Sequence, residues 1–253
     1  MKRIYSTDEA LPFIERDPET NIQMYEALEG LKDGSTTVLA HKTALLVDGW
    51  ALMLTADDPY DVLPLIRTYF TEHLVNGPSR FFFSLDSSIA DILKTEYVID
   101  VNDDTYLWTL EQPPQENVDL DSLGPTDIPT VANHWPYGGE DKVDFINWLV
   151  NRLPSSVVRG EDQQPLAWSF CYAESPHHIN MGGLFVLPEH RRKGFGSMIT
   201  TDLTRKVFQR GKKPLVHIHV SNTASQAVVK AKGFVRGNHV LFGDISEPDI
   251  TEH

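Results

Sequence analysis

The stretch that most limits the fold runs from Gly183 to Ser197 and reads Gly-Leu-Phe-Val-Leu-Pro-Glu-His-Arg-Arg-Lys-Gly-Phe-Gly-Ser. Its apolar part, Gly183 to Leu187, predicts a buried strand that Pro188 stops. A basic, glycine-punctuated turn follows. It opens an amphipathic helix in which Ile199, Leu203 and Val207 fall four apart, on one face. Strand, glycine turn and helix N-terminus together make an anion site. The first amides of a helix have no internal partners, and the helix dipole adds partial positive charge there. Arg191, Arg192 and Lys193 put full charges on the same rim, while Gly194 and Gly196 remove side chains that would keep an anion off the backbone.

Those charges stand out because the rest of the chain is acidic. Its 253 residues carry a net charge of −14, which argues against a general nucleic-acid or anionic-membrane binder but leaves room for one basic site. Hydrophobic residues at 41% and charged residues at 23% are ordinary for a globular protein. One cysteine, Cys171, allows no intramolecular disulfide and suits a reducing compartment. No apolar run approaches the ~20 residues of a membrane helix. The first residues lack the apolar core of a signal peptide. These features point to a cytoplasmic, or mitochondrial, enzyme or binding protein with no membrane span.

Taken in order, residues 8–31 predict a helix broken near Asp17-Pro18. Residues 36–40 and 44–55 predict strands, the second with a turn at Asp48-Gly49. Residues 61–74 form an amphipathic helix that Asn76-Gly77-Pro78 stops. Phe81–Phe83 is a strand, Ser87 caps a short helix, and 97–111 forms a hairpin across Asn102-Asp103-Asp104. The proline-rich segment 112–117 is stiff and polar, and separates an N-terminal domain, 1–115, from a C-terminal domain, 116–253. Beyond it come a short strand at 119–123, two helices, strands at 156–159 and 165–172, and the strand ending at Leu187. After the basic turn and its helix lie a strand at 215–220, a helix capped by Asn222, and a final strand at 240–242. The first half repeats much of this order without the basic turn. The fold class is α+β, built either of two related halves of which one keeps the anion loop or of two unrelated α+β units.

Arg191-x-x-Gly194-x-Gly196, directly after an apolar strand ending in Pro-Glu, resembles the pyrophosphate loop of the GNAT acyltransferase superfamily. The wider chain resembles the animal glycine N-acyltransferase-like family. The phrases that carry this are Trp135-Pro136-Tyr137-Gly138-Gly139, Arg152–Ser156 with Pro165–Ser169, Leu187–Arg191, and His219-Val220 with Asn222. The resemblance implies a GNAT fold in the C-terminal domain and a degenerate GNAT-like N-terminal half. It implies acyl-CoA or acetyl-CoA as co-substrate, without a metal, and a small amine or amino acid such as glycine as acceptor. Phe185, Val186 and Leu187 would pair with the pantetheine stem. Arg191, Arg192, Lys193, Gly194, Phe195, Gly196 and Ser197 would hold the pyrophosphate, with Asn222 completing the site. A backbone amide near Val186 would face the oxyanion.

The sequence departs from the family where its chemistry resides. Counting back from Pro188 places Asn180 where a general-base Glu is expected, and counting back from Gly233 places Val229 where many members use a Tyr. His178 shares a strand face with Asn180 by period-two alternation, so it is the substitute base, against the bland alternative of an exposed hairpin histidine. Cys171, mid-strand with no cation beside it, reads as a structural thiol. His217 and His219 line the substrate side of their strand or pack in the core. Two other functions fit the same residues: a peptide or protein N-acetyltransferase with an acidic groove, and a non-catalytic acyl-CoA binder.

Overall fold

Amphipathic helices alternate with apolar strands along the chain, as the residue periodicity dictates. The computed structural model describes residues 1–73, 79–135 and 139–248. In chain order the elements are β1 (Lys2–Arg3), α1 (Thr7–Ile14), α2 (Ile22–Ala27), β2 (Thr37–His41), β3 (Ala44–Asp48), β4 (Leu52–Thr55), α3 (Val62–Thr68), β5 (Ser79–Asp86), α4 (Ser87–Leu93) and β6 (Val98–Thr109). There follow α5 (Ile128–His134), α6 (Val143–Arg152), β7 (Ser155–Arg159), β8 (Pro165–Glu174), β9 (His178–Val186), α7 (Phe195–Gln209), β10 (Lys213–His219), α8 (Thr223–Ala231) and β11 (Val235–Ser246). The helix stop at Asn76–Pro78 and the middle of the Trp135–Gly139 phrase lie outside the described residues.

Two units result, one of Met1–Leu107 with the chain from Asn238 on, the other of Trp108–Gly237. The first has the strand order β1-β2-β3-β4-β5-β11-β6. In it β3 shows why a continuous apolar run is a strand here. Ala44 and Leu46 enter one core with Leu65, Ile66 and Ile89, while Leu45 and Val47 enter another with Ile14 and Met24. Both faces are covered, so polar alternation is not needed.

Two expectations are corrected in this unit. The hairpin across Asn102–Asp104 is one continuous twelve-residue strand, β6. Its polar residues pair sideways with β11 instead of turning: Asn102 Nδ2 donates to Asp244, and Asp104 meets His239. The final strand is correspondingly longer than 240–242.

The second unit has the order β10-β9-β8-β7, with β7, β8 and β9 antiparallel and β10 parallel to β9. The strand expected at 119–123 is a single bridge, Asp121 to Val157. It forms no longer ladder because side chains of α7 take its carbonyls: Lys206 Nζ donates to Leu120 O at 2.9 Å and Arg205 Nε to Val118 O at 3.0 Å. On the same helix Asp202 is fully buried between Lys206 at 2.8 Å, Arg205 at 2.6 Å and Ser156 Oγ at 2.7 Å. Burial alone would raise its pKa, but these partners hold it below the usual carboxylate range. This cluster fixes α7 on the sheet, and α7 carries the basic turn. Arg159 likewise clamps buried Asp127, ahead of α5, with two bonds of 2.9 and 2.8 Å.

Candidate functional site

β9 and β10 run parallel but pair only from His178 with Lys213 to Met181 with Val216. Past that pair the strands part. The cause lies on β9, where the ladder with β8 shifts register between Phe185 and Gly182, so that the chain bulges there. Gly183 has φ +60, and a Cβ on it would sit 2.3 Å from the Phe170 ring. The opened wedge is a cleft of about 160 Å³. Gly182, Gly183 and Leu184 form one wall, His217, Ile218 and His219 the other, and Thr200 of α7 with Asn222, Ser225 and Val229 close it. The N-termini of α7 and α8 lie just past β9 and β10 in the chain, at the end toward which the cleft opens.

Next along β9 is the basic turn. Pro188–His190 makes one 3-10 turn, Arg191 extends, and Gly194 with φ +84 precedes α7. Among the described residues nothing lies within 4 Å of a Cβ built on Gly194, so the space above the helix start is open. No side chain among the described residues caps α7, and its first turn has no acidic residue. Arg191, Arg192 and Lys193 are exposed beside it. Arg191 is oriented by its Nε bond to Val186 O, 3.1 Å, and by the Phe185 ring at 5.8 Å. Uncapped amides, three cations and an open glycine fit a polyanion such as a pyrophosphate.

Asn222 lies on the cleft wall as the N-cap of α8, its Oδ1 accepting from Ser225 N. Phe185 stacks on Trp168 and meets the tilted His134 ring, at 5.1 Å each. Val186 turns its carbonyl to Arg191, and Leu187 N donates to Leu166 O. These three residues border the cleft and do not line it. Val229 is a buried apolar wall residue. Cys171 is buried in β8, which pushes its thiol pKa up and leaves it inert.

The titratable groups fall in two places. His178 is 5% exposed at the closed end of the β9–β10 ladder, outside the cleft. Burial first, then the charge of Lys213, lower its pKa to about 4. His217 is on the cleft wall, and burial lowers its pKa to about 3. Its Nδ1 has two partners at 3.1 Å, Tyr172 Oη and Asn180 Nδ2. Asn180 is thus bound to the cleft through His217. Neither Tyr172 nor this three-strand cluster followed from sequence spacing. The alternation of His217 and His219 was the only trace of it. Among the described residues no group of His, Cys, Asp and Glu could hold a metal.

Residues 156–242 match the FR47-like protein family. Rat glycine N-acyltransferase is 29% identical over 113 residues, 44% of this chain and 37% of the rat protein. Bovine glycine N-phenylacetyltransferase is 30% identical over 115 residues, 45% of this chain and 38% of the bovine one. The matched region therefore spans under two fifths of these relatives. A GNAT-family acetyltransferase from Colwellia psychrerythraea superposes with TM-score 0.57 at 15% identity, over 98% of this chain and 99% of its own. A Drosophila protein of known crystal structure gives TM-score 0.70 at 16% identity, over 96% of each chain. The fold is the GNAT fold.

Proposed function

We propose that this chain, a GNAT-superfamily protein by fold and by its C-terminal sequence, is an acyl-CoA-dependent N-acyltransferase acting on a small amine or amino acid. One observation carries the reading: a parted parallel strand pair and an uncapped, basic helix N-terminus occur together at one end of β9. Such a cleft suits a ligand with a polyanionic end and an amide-bearing stem. The names of the relatives, glycine N-acyltransferase and glycine N-phenylacetyltransferase, support an amino acid acceptor. The unit of Trp108–Gly237 then forms the catalytic half, and the unit of Met1–Leu107 with the chain from Asn238 on a degenerate one.

Acyl-CoA supplies an activated thioester. Arg191, Arg192 and Lys193, with the amides of Phe195, Gly196 and Ser197, hold its pyrophosphate. The backbone of Gly182 to Leu184 has left its β10 partners, so its amides are available to the stem and to the carbonyl oxygen where charge develops. This moves the oxyanion donor from the neighbourhood of Val186 to the bulge. Asn222 and Ser225 give the opposite wall its polar groups. Holding both substrates in one wedge supplies proximity.

Amide formation takes one proton from the amine and gives one to the departing sulfur. His178 stands outside the cleft, and both His178 and His217 resist protonation near neutral pH. We therefore infer that the amine attacks in its neutral form, that its proton passes to water at the open side, and that water returns one to the departing thiolate. Turnover should rise with pH toward the amine's own pKa, with no inflection near 6.5.

Gly194→Asp tests the cofactor assignment. A carboxylate at the helix start should weaken acyl-CoA binding about a hundredfold, ~2.7 kcal/mol. Unchanged affinity by calorimetry would overturn the pyrophosphate site.

A further inference from the structure

The His217 cluster is built across three strands by two local irregularities. On β8 the register with β9 shifts between Cys171 and Ala173, so Tyr172 is the extra residue of a bulge. A bulge re-aims its side chain, here across β9 toward β10. β9 yields the space at Gly182, where a Cβ would stand 2.5 Å from the Tyr172 ring. The phenol thereby reaches His217 Nδ1 from two strands away. Asn180, fully buried, reaches the same atom from β9.

The donor and acceptor inventory fixes which proton His217 carries. Turned as it stands, Asn180 gives an N–H to Nδ1 and leaves one carbonyl oxygen, Oδ1, without a partner among the described residues. The opposite orientation would leave its amide nitrogen, with two donors, at that unpartnered position. One orphaned acceptor costs less than two orphaned donors. An amide nitrogen cannot accept, so Nδ1 must hold a lone pair, and the Tyr172 hydroxyl donates to it as well.

We propose that Asn180 and Tyr172 are positioning residues that hold His217 as the neutral imidazole protonated on Nε2, so that the cleft is offered an N–H donor and not a lone pair. The tautomer stands whatever the cleft binds. Its use on a thioester, as a hydrogen bond to the carbonyl oxygen or the sulfur, rests on the function proposed above. An amide at position 180 serves this role where a carboxylate would not. A carboxylate accepts only, would draw the proton to Nδ1, and would favour the imidazolium.

The test is nitrogen NMR of the full chain labelled with 15N-histidine, ligand-free at neutral pH, with His217 identified by the signal lost in His217→Gln. The expected spectrum shows Nε2 protonated and Nδ1 bare. An Nδ1–H form or an imidazolium would overturn the proposal. Asn180→Asp, nearly isosteric, should move the proton to Nδ1 or charge the ring. A spectrum unchanged from wild type would refute the part given to Asn180. Tyr172→Phe, which keeps the ring on Gly182, should keep the Nε2 proton and shift the Nδ1 signal as it loses a donor. An unmoved signal would refute the part given to Tyr172. Turnover of Asn180→Asp should fall about a hundredfold with acyl-CoA affinity retained, as for loss of one preorganised donor. Unchanged turnover would refute use of the donor in the cleft. Failure of wild type to bind acyl-CoA would count against the function and leave the tautomer standing.

Discussion

Two segments of the molecule share one backbone plan and differ in what sits at the helix start. In the second unit β9 leads through Pro188–Gly194 into α7. In the first, β4 leads through Ala56-Asp57-Asp58-Pro59-Tyr60-Asp61 into α3. Each strand has a parallel neighbour that leaves it early: β4 meets β5 only at Leu52 with Phe82. Each wedge holds a small cleft, the first lined partly by Asp57 and Asp86. The turns are opposite in charge, and the acidic one is closed on itself. Asp58 caps Tyr60 N at 3.0 Å, Asp57 pairs with Arg16 at 2.9 Å, and Asp61 takes Lys42 and Thr43 at 2.9 and 2.8 Å. The basic turn has no cap, and its cations project to solvent. A parted strand pair is therefore not sufficient for an anion site. The helix start must also be left unsatisfied by the chain's own side chains.

The largest expected effect that sharpens this contrast is the hundredfold loss of acyl-CoA affinity in Gly194→Asp, which gives the basic turn the kind of carboxylate the acidic turn already has. Arg191→Ala should follow, with about a tenfold loss, since one exposed charge is removed and the amides remain. A calorimetric titration giving equal affinities for both variants and wild type would erase the difference between the turns.

Acid stability comes next. His178 and His217 have folded pKa values of about 4 and about 3, below the ordinary 6.5. The unfolded chain binds their protons first as pH falls, so the stability present above pH 6.5 should be lost between there and about 3. His178→Gln should flatten that slope in urea unfolding followed against pH. A slope equal to wild type would mean that His178 does not carry its share. The smallest effect is Asp58→Ala, which removes a cap and should cost about 1 kcal/mol without altering acyl-CoA affinity. A changed affinity would tie the acidic turn to the basic one and break the comparison.

The basic turn was legible because its physics is local: strand, proline, glycine and amphipathic helix are adjacent in sequence. The continuous apolar strand β3 was legible for the same reason. The Tyr172–Asn180–His217 cluster was not. It depends on two register shifts and on contacts spanning 37 and 45 residues, and period-two alternation says nothing of which neighbour a strand faces. Alternation did place His178 and Asn180 on one face. It could not tell that His178 lies on the paired side of Met181 and that the cleft opens beyond it. The turn read at Asn102–Asp104 failed because turn-forming residues also make good cross-strand pairs when a long neighbour such as β11 is at hand.

The most direct test of the central claim is free-thiol release from acetyl-CoA and phenylacetyl-CoA by the purified full chain, with and without glycine and a panel of amino acids and small amines. The expected result is thiol release that requires an amine, yields the matching amide by mass spectrometry, and collapses in Gly194→Asp. Thiol release indifferent to every amine, or none at all despite tight acyl-CoA binding, would contradict the transferase and leave a hydrolase or a binder in its place.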